Sequence, residues 1–236
     1  MQKMNFTIGH VPAILLGEPS ENVLLFLHGK CGCKEEAEAF SEIACPMGYQ
    51  VLAVDLPMHG ERKAEKDGFD PWHAVPELQS VFDYAAARWK TLGLRANSIG
   101  CYFSMLAFAN KELSCCLFVS PILDMEALIC GMMAYANVTE AELEEKKEIE
   151  TPFGETLSWE YLRYARSHRI THWDAKTAIL YAGQDGLTAR STAEAFSEKF
   201  HCRLNVMEDG EHWFHTEEQL SVLKNWEKAS LDAARR

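Results

Sequence analysis

Residues 94–106 read Leu94-Arg95-Ala96-Asn97-Ser98-Ile99-Gly100-Cys101-Tyr102-Phe103-Ser104-Met105-Leu106, where an extended apolar run turns into helical sequence at a serine. A serine hydroxyl is a poor nucleophile until a base removes its proton and hydrogen-bond donors stabilise the resulting oxyanion. A strand–serine–helix turn serves both needs, because it lifts the side chain clear and directs helix N-terminal amides at the reaction centre. Ala96 stands where the common pattern has glycine, so the motif alone is also compatible with an ordinary turn.

On both sides of this motif, short apolar runs alternate with helix-length segments. The runs that predict strands are 23–28, 50–55, 94–97, 115–119, 178–182 and 204–207, with a hairpin at 5–8 and 13–16. The segments that predict helices are 34–45, 76–90, 100–110, 192–200 and 217–234. This alternation predicts an α/β fold with a mostly parallel central sheet and helices on both faces. A length of 236 residues fits one domain spanning residues 1–236.

The stretch 124–170 interrupts the alternation, since it holds no strand-like run and three helical segments, 125–136, 139–147 and 157–168. An insert of this size between two core strands predicts a helical cap over the strand ends. Its apolar side chains either pack into a small core of the cap or line a substrate pocket. The candidates for substrate binding in the cap are Met132, Tyr135 and Trp159.

Two further polar groups follow predicted strands, at the sheet edge where active sites of open α/β sheets form. Asp185 comes just after the run 178–182, and His212 lies in the loop before the last helix. Each has a plain structural alternative, an Asx turn for the aspartate and a helix cap for the histidine. Together with Ser98 they occur in the chain order nucleophile, acid, base. His215 competes as the base, but it stands where the last helix begins.

Two backbone amides are candidates for an oxyanion hole. The segment His28-Gly29-Lys30-Cys31-Gly32 ends the first long strand, and its glycines let the Lys30 amide turn toward a bound carbonyl oxygen. The second amide is that of Ile99, directly after the serine. Losing one such donor typically costs about 10²–10³ in rate. His28 and Trp213, which adjoin these groups in sequence, are further candidates for substrate contact.

Through these residues, the chain resembles the α/β-hydrolase superfamily from about residue 23 to the last helix. It is most similar to small bacterial serine esterases and related acyl hydrolases. The segment Val54-Asp55-Leu56-Pro57-Met58-His59-Gly60 resembles a loop that follows the next strand in many members, with His59 and Gly60 shaping that loop. The resemblance implies cleavage of a carboxylic ester of a small or medium acyl substrate through an acyl-enzyme, with no metal or organic cofactor. Amide, peptide or thioester cleavage by the same residues is an alternative, as is a non-catalytic ligand-binding protein on this fold.

The chain departs from the superfamily pattern at three positions. Ala96 adds a methyl group where helix and strand pack closely, so we expect a small backbone adjustment there. Cys101 follows the motif glycine and is expected to point into the helix packing rather than act as a nucleophile. Asp124 lies after the preceding strand, where some members carry their acid, but the Gly-x-Asp context favours Asp185.

Composition limits the partners and the compartment. The formal net charge of −12, from 35 acidic and 23 basic residues, opposes binding to nucleic acid or to anionic lipid. The first residues lack the apolar core of a signal peptide, and no apolar run reaches transmembrane length. The eight cysteines fit neither a zinc pattern nor a disulfide framework. We therefore expect a cytoplasmic protein that acts on a small molecule, with an oligomeric state that the sequence leaves open.

Overall fold

The computed structural model describes residues 2–235, and within them an eight-stranded sheet runs through the centre in the order β1-β2-β4-β3-β5-β6-β9-β10. The strands are β1 (Lys3–Ile8), β2 (Val11–Leu16), β3 (Asn22–Leu27), β4 (Gln50–Val54), β5 (Thr91–Asn97), β6 (Cys116–Val119), β7 (Glu148–Glu150), β8 (Thr156–Ser158), β9 (Thr177–Ala182) and β10 (Arg203–Met207). From β4 to β10 all neighbours in this sheet are parallel, whereas β1–β2 and β2–β4 are antiparallel. The α/β class, the mostly parallel sheet and the edge hairpin are confirmed.

Burial on both faces explains why the parallel strands carry continuous apolar runs. Every residue of β4 and β9 is buried, which leaves no solvent face that would require alternating polar residues. In the centre, Leu25 of β3 is in register with Leu52 on one side and with Leu94 on the other. The serine motif therefore follows a strand that is fixed by neighbours on both edges.

Helices cover the two faces of the sheet. They are α1 (Ala37–Ala44), α2 (Pro71–Ala86), α3 (Ile99–Phe108), α4 (Met125–Tyr135), α5 (Glu140–Lys146), α6 (Trp159–Ser167), α7 (Arg190–Lys199) and α8 (Glu217–Ala234). One apolar core packs α2, α3 and α7 against the sheet, and a second packs α1 and α8 against the opposite face. Within residues 2–235, no helix combines the length and the apolar character needed to cross a membrane.

Helix α2 begins five residues before its predicted start at Pro76. Asp70 is its N-cap, and the carboxylate accepts a 2.9 Å hydrogen bond from the His73 amide, with Pro71 in the first turn. Proline is tolerated in the first turn because the amide that it lacks would have no helical partner there. The second proline, Pro76, at which the predicted helix began, lies inside the helix.

The insert at 124–170, for which the name cap is kept, contains a hairpin that the sequence did not predict. The expectation of no strand between 124 and 170 is wrong, because β7 and β8 pair antiparallel with Ile149 opposite Leu157. Each strand has three residues, which is too short for a recognisable period. The hairpin closes through Thr151, whose amide donates to the Glu155 carbonyl at 2.8 Å. Buried cap residues such as Leu143 and Leu157 belong to the same core as α2 and α3, so the cap is packed onto the sheet rather than around a separate core.

Candidate active site

The turn between β5 and α3 holds Ser98 in a strained conformation, with φ 48° and ψ −120°. A non-glycine residue in such a region costs of order 1–3 kcal/mol and persists where the surroundings enforce it. The surroundings do so through Gly100, where an added Cβ would lie 2.5 Å from the His28 carbonyl oxygen. Ala96 is fully buried and in register with Leu27 on one side of it, so its methyl group fits the core.

Ser98, His212 and Asp185 form one hydrogen-bonded chain. The Ser98 hydroxyl donates to His212 Nε2 at 2.8 Å, and His212 Nδ1 donates to Asp185 Oδ2 at 2.8 Å. The other carboxylate oxygen, Oδ1, accepts from the amides of Leu187 at 2.7 Å and Thr188 at 3.2 Å. The Asp185 carboxylate is fully buried, so its orientation toward the imidazole is set by these bonds rather than by solvent.

The two competing residues lie outside this chain. Asp124 caps α4, where its carboxylate accepts a 2.9 Å hydrogen bond from the Ala127 amide. His215 Nδ1 bonds the Trp213 carbonyl oxygen at 2.8 Å, and its ring stacks on the indole. The geometry therefore brings together the three residues that the sequence analysis favoured.

The loop after β3 passes directly against the serine. A Cβ added at Gly29 would lie 3.2 Å from the Ser98 Cβ, so a larger residue there would crowd the serine. No residue in the described range 2–235 accepts a hydrogen bond from the Lys30 amide. Ile99 is the first residue of α3, and an amide at that position has no partner inside the helix. Two amides with unused donor capacity thus adjoin Ser98.

His28 does not occupy the position that the sequence analysis expected. Its ring is fully buried, Nδ1 donates to the Gly29 carbonyl oxygen at 2.7 Å, and Nε2 accepts from the Leu56 amide at 3.0 Å. Burial lowers the pKa of His28 to about 4, which keeps the ring neutral. With both nitrogens bonded to backbone, His28 joins two loops and does not contact the space above Ser98. His59 packs against it at 5.3 Å between ring centroids, in keeping with a loop-shaping role.

A cavity of about 990 Å³ opens between Ser98 and the cap, and we refer to it as the cap cavity. Met132 and Tyr135, two of the candidates for substrate binding, line this cavity together with Ser98, Ile99 and Asp185. Further walls come from Phe153 and Tyr161, which are among the apolar side chains of the insert that the sequence analysis considered for a pocket, and from Phe69, Ile122 and Leu128, which it did not select. These residues lie in loops before α2 and after β6 and in the cap, and no local pattern marks their side chains as neighbours.

Trp159 and Trp213 do not line the cap cavity. Trp159 lines a separate cleft between α5 and α6, and its amide donates to the Lys147 carbonyl oxygen at 2.8 Å. Trp213 is 75% exposed and lines a second cavity of about 590 Å³ on the other side of Ser98. We refer to this second cavity, between the 29–32 loop, α1 and α8, as the groove.

The cysteines take no part in this arrangement. All eight are free thiols, and Cys101, next to the motif, is fully buried. Burial raises the pKa of Cys101 far above its ordinary value, so this thiol stays protonated. Among residues 2–235 no group of three or more His, Cys, Asp or Glu side chains is placed to hold a metal ion.

Solved structures match the chain along nearly its whole length. Est1E from Butyrivibrio proteoclasticus, solved with ferulic acid bound, is similar with a TM-score of 0.77 at 19% identity, over 98% of each chain. Alpha/beta hydrolase domain-containing protein 10 from mouse matches with a TM-score of 0.78 at 12% identity, over 99% of each chain. An esterase from Pyrococcus furiosus matches with a TM-score of 0.70 at 18% identity, over 100% of this chain and 91% of that one. No protein-family model and no curated protein matches the sequence. The agreement in fold, at identities this low, shows that the chain has the α/β-hydrolase fold.

Proposed function

We propose that this protein is a serine hydrolase that cleaves carboxylic esters of small or medium acyl groups. The observation that carries the proposal is the continuous hydrogen-bonded chain from Ser98 through His212 to the buried carboxylate of Asp185. A protein that only binds a ligand has no need for a strained serine, a base and a buried acid in this order. Esterases and other hydrolases among the structures of the same fold support the proposal.

The first half of the proposed reaction transfers the acyl group to the serine. Ser98 Oγ attacks the ester carbonyl carbon while His212 Nε2 takes the hydroxyl proton, and Asp185 stabilises the imidazolium that forms. The carbonyl oxygen becomes an oxyanion that accepts hydrogen bonds from the Lys30 and Ile99 amides. The carbon–oxygen bond to the alcohol then breaks, and His212 delivers its proton to the leaving oxygen.

The second half hydrolyses the acyl-enzyme. A water molecule attacks the acyl carbon as His212 accepts one of its protons, the same two amides hold the second oxyanion, and the bond to Ser98 Oγ breaks. The proton returns to Ser98, and the carboxylic acid is released. Each step uses groups of the chain and water, so the proposal includes no metal and no organic cofactor.

The cap cavity suits the acyl part of the substrate. Its walls are mainly apolar, with side chains such as Leu128, Met132 and Ile122 facing the space above Ser98. Apolar surface favours an acyl chain by about 0.8 kcal/mol per buried methylene. Tyr161, which also lines the cavity, has a buried hydroxyl without a partner among the described residues. Est1E was solved with ferulic acid bound, and an acyl group that combines an apolar body with a polar end fits these walls.

Labelling with a fluorophosphonate probe tests the proposal directly. We expect the purified protein to be labelled at Ser98 and to hydrolyse p-nitrophenyl esters, and Ser98→Ala to abolish both. Cys101→Ala is the matched control, because it removes the neighbouring nucleophilic atom and is expected to leave labelling intact. A folded wild-type protein without label at Ser98 would reject the hydrolase proposal and favour the non-catalytic alternative.

A second experiment determines which type of bond the protein cleaves. Ester, thioester and amide substrates with one common acyl group separate the alternatives that the same three residues allow. We expect the ester to have the highest kcat/KM. A higher value for the amide or the thioester would move the protein to that class while leaving the roles of Ser98, His212 and Asp185 unchanged.

A further inference from the structure

The groove meets the cap cavity at Ser98, so the nucleophile lies between two spaces. Its rim is formed by exposed apolar side chains, Leu187, Trp213 and Leu220. Its floor lies on the α1 and α8 face of the sheet, where Phe26 and Phe40 form part of the wall. A substrate that reaches Ser98 can therefore extend in two directions, and the two spaces differ in chemistry.

The position of His212 decides which part of an ester lies on which side. His212 lines the groove but not the cap cavity, whereas Ile99 and Asp185 line the cap cavity. Since His212 must hand its proton to the leaving oxygen, that oxygen has to lie on the groove side. The acyl group then points into the cap cavity, and the alcohol part extends along the groove. This step rests on the proposed function.

The floor of the groove holds hydrogen-bond donors that are not fully used. Arg95 is 4% exposed, its Nε donates to Glu227 at 2.9 Å, and its Nη1 donates to Asn97 Oδ1. Nη2 has no partner among the residues that the structure describes, although a guanidinium carries five N–H donors. Ser120 is 2% exposed, and its hydroxyl is also without a partner in the described chain.

Ser120 is unusual in its backbone as well. Its φ is 43°, a left-handed conformation that a serine adopts only when the surroundings impose it. The strand before it is tied to the nucleophile, because the Ser98 amide donates to the Val119 carbonyl oxygen at 3.0 Å. Ser120 also lines the groove, so its unpartnered hydroxyl can be satisfied by a ligand atom that enters there.

The charges around the groove favour an uncharged ligand group. The guanidinium of Arg95 is already paired with the buried carboxylate of Glu227, which is 3% exposed. Glu36, Lys30 and Lys224 also line the groove, and the ammonium of Lys30 is paired with Glu155. Because carboxylates offset the cations in this way, an anion gains little there, whereas a neutral oxygen can accept hydrogen bonds without disturbing these pairs.

From these observations we propose that the groove binds the alcohol part of the ester and that Ser120 and Arg95 recognise an uncharged oxygen on it. The oxygen belongs to a hydroxyl, ether or carbonyl group at some distance from the ester bond. Phe26 and Phe40, over whose rings the guanidinium lies at 4.8 and 5.8 Å, hold Arg95 in place for this contact. The groove thus selects the leaving group, and the cap cavity selects the acyl group.

Three butyrate esters of equal chain length test this selection. They are the ester of a linear alkanol, the monoester of the matching diol and the ester of the matching ω-hydroxy acid, each prepared at several chain lengths. The distant substituent barely changes the reactivity of the ester bond, so differences in kcat/KM report binding in the groove. We expect the diol monoester to exceed the alkyl ester by about tenfold at its best length, the range of one hydrogen bond, and the carboxylate ester to show no such gain.

Ser120→Ala is the variant that tests the contact, and Ser197→Ala is its matched control. Ser197 on α7 also has a buried hydroxyl without a partner in the described residues, but it lines neither cavity. We expect Ser120→Ala to lose most of the preference for the diol monoester and Ser197→Ala to keep it. Hydrolysis of the alkyl ester and labelling of Ser98 are measured in the wild-type protein and in Ser197→Ala, where both are expected to persist. Their loss there would reject the proposed function, whereas an absent preference for the diol monoester would reject only this inference.

A measurement on the wild-type protein covers the case that Ser120→Ala does not fold. The butyryl-enzyme is allowed to partition between water and an added alcohol, and we expect the diol to capture more acyl group than the alkanol does. Equal capture, or equal kcat/KM for the diol and alkyl esters, would overturn the inference. A preference for the carboxylate ester would also overturn it, because the groove would then be an anion site.

Discussion

The carboxylate of Asp185 divides its two oxygens between two tasks. One oxygen binds the imidazole of His212, and the other is held by the amides of Leu187 and Thr188. An asparagine at this position would present an NH₂ group to one of these partners, which either loses the loop contacts or favours the wrong tautomer of His212. We expect Asp185→Asn to lower kcat for a p-nitrophenyl ester by about 10³–10⁴.

Asp124→Asn is the control for this prediction, because the asparagine oxygen can still cap α4. We expect Asp124→Asn to keep kcat within about twofold of the wild-type value. Equal losses in the two variants, or a larger loss for Asp124→Asn, would transfer the acid role to Asp124.

At the residue scale, the sequence predicted which residues come together at the site better than it predicted what surrounds each side chain. The order of Ser98, Asp185 and His212 is visible in the chain because each follows a readable strand. The role of Gly100 is not visible in the chain. A Cβ at this position would lie 2.5 Å from the His28 carbonyl oxygen, and the two segments meet only after β3 and β5 pair. For the same reason the histidine at 28 looked like a substrate ligand, although its two ring nitrogens bond to loop backbone.

At the scale of elements, an ion pair connects the cap hairpin with the loop after β3. The ammonium of Lys30 binds the carboxylate of Glu155, which follows β7, and the two side chains are 46% and 39% exposed. Such a pair adds at most about 1 kcal/mol to the free energy of unfolding. Its effect on catalysis differs, because the same Lys30 supplies one of the proposed oxyanion donors.

We expect Glu155→Gln to lower kcat by about three- to tenfold, a fraction of the 10²–10³ that loss of an oxyanion donor costs. KM and the free energy of unfolding are expected to change little. At 1 M salt, where charges are screened beyond about 3 Å, the wild-type kcat should fall toward that of the variant. Glu142→Gln, which breaks the Lys146 pair on α5 of the same cap, is the matched control. An identical response of the two variants would show that Glu155 acts only through surface charge.

The elements that the sequence missed share a physical cause. The strands β7 and β8 have three residues each, and their pairing depends on a turn closed by Thr151 rather than on a hydrophobic period. Helix α2 begins at Pro71 because of the Asp70 cap, whereas the apolar pattern becomes regular only later. The long buried strands and α8 were predictable because burial dictates their composition over many residues.

At the scale of the whole molecule, the two spaces beside Ser98 could not be read from the sequence. Each is lined by segments that are far apart in the chain, and the side chains that face it obey no local period. The buried pair Arg95–Glu227 joins positions 132 residues apart, across the α8 face of the sheet. Sequence patterns report burial along an element, and a cavity is defined by what several elements leave unfilled.

Stability of the whole molecule is expected to depend on the protonation of His28. The unfolded chain protonates this histidine near its ordinary pKa of 6.5, whereas burial lowers the pKa in the folded protein to about 4. Between these two values the folded state therefore binds fewer protons than the unfolded chain. The stability that neutral His28 contributes is lost as the pH falls from 6.5 to 4. A shift of this size corresponds to about 3 kcal/mol in the free energy of unfolding.

Denaturant unfolding at several pH values between 7.5 and 4, compared with His28→Gln, measures this contribution. The glutamine oxygen can accept the Leu56 amide hydrogen but does not titrate, so we expect a weaker pH dependence in the variant. Lys34 and Arg62 lower the pKa of Glu35 and Glu77, so these two carboxylates also contribute stability that is lost at lower pH. Their contribution is the same in both proteins and cancels when the two free energies of unfolding are subtracted. Parallel curves would show that His28 does not govern acid stability. Curves that diverge at low pH would link acid stability to the loop that carries Lys30. Protonation of His28 breaks its bond to the Leu56 amide beside that loop.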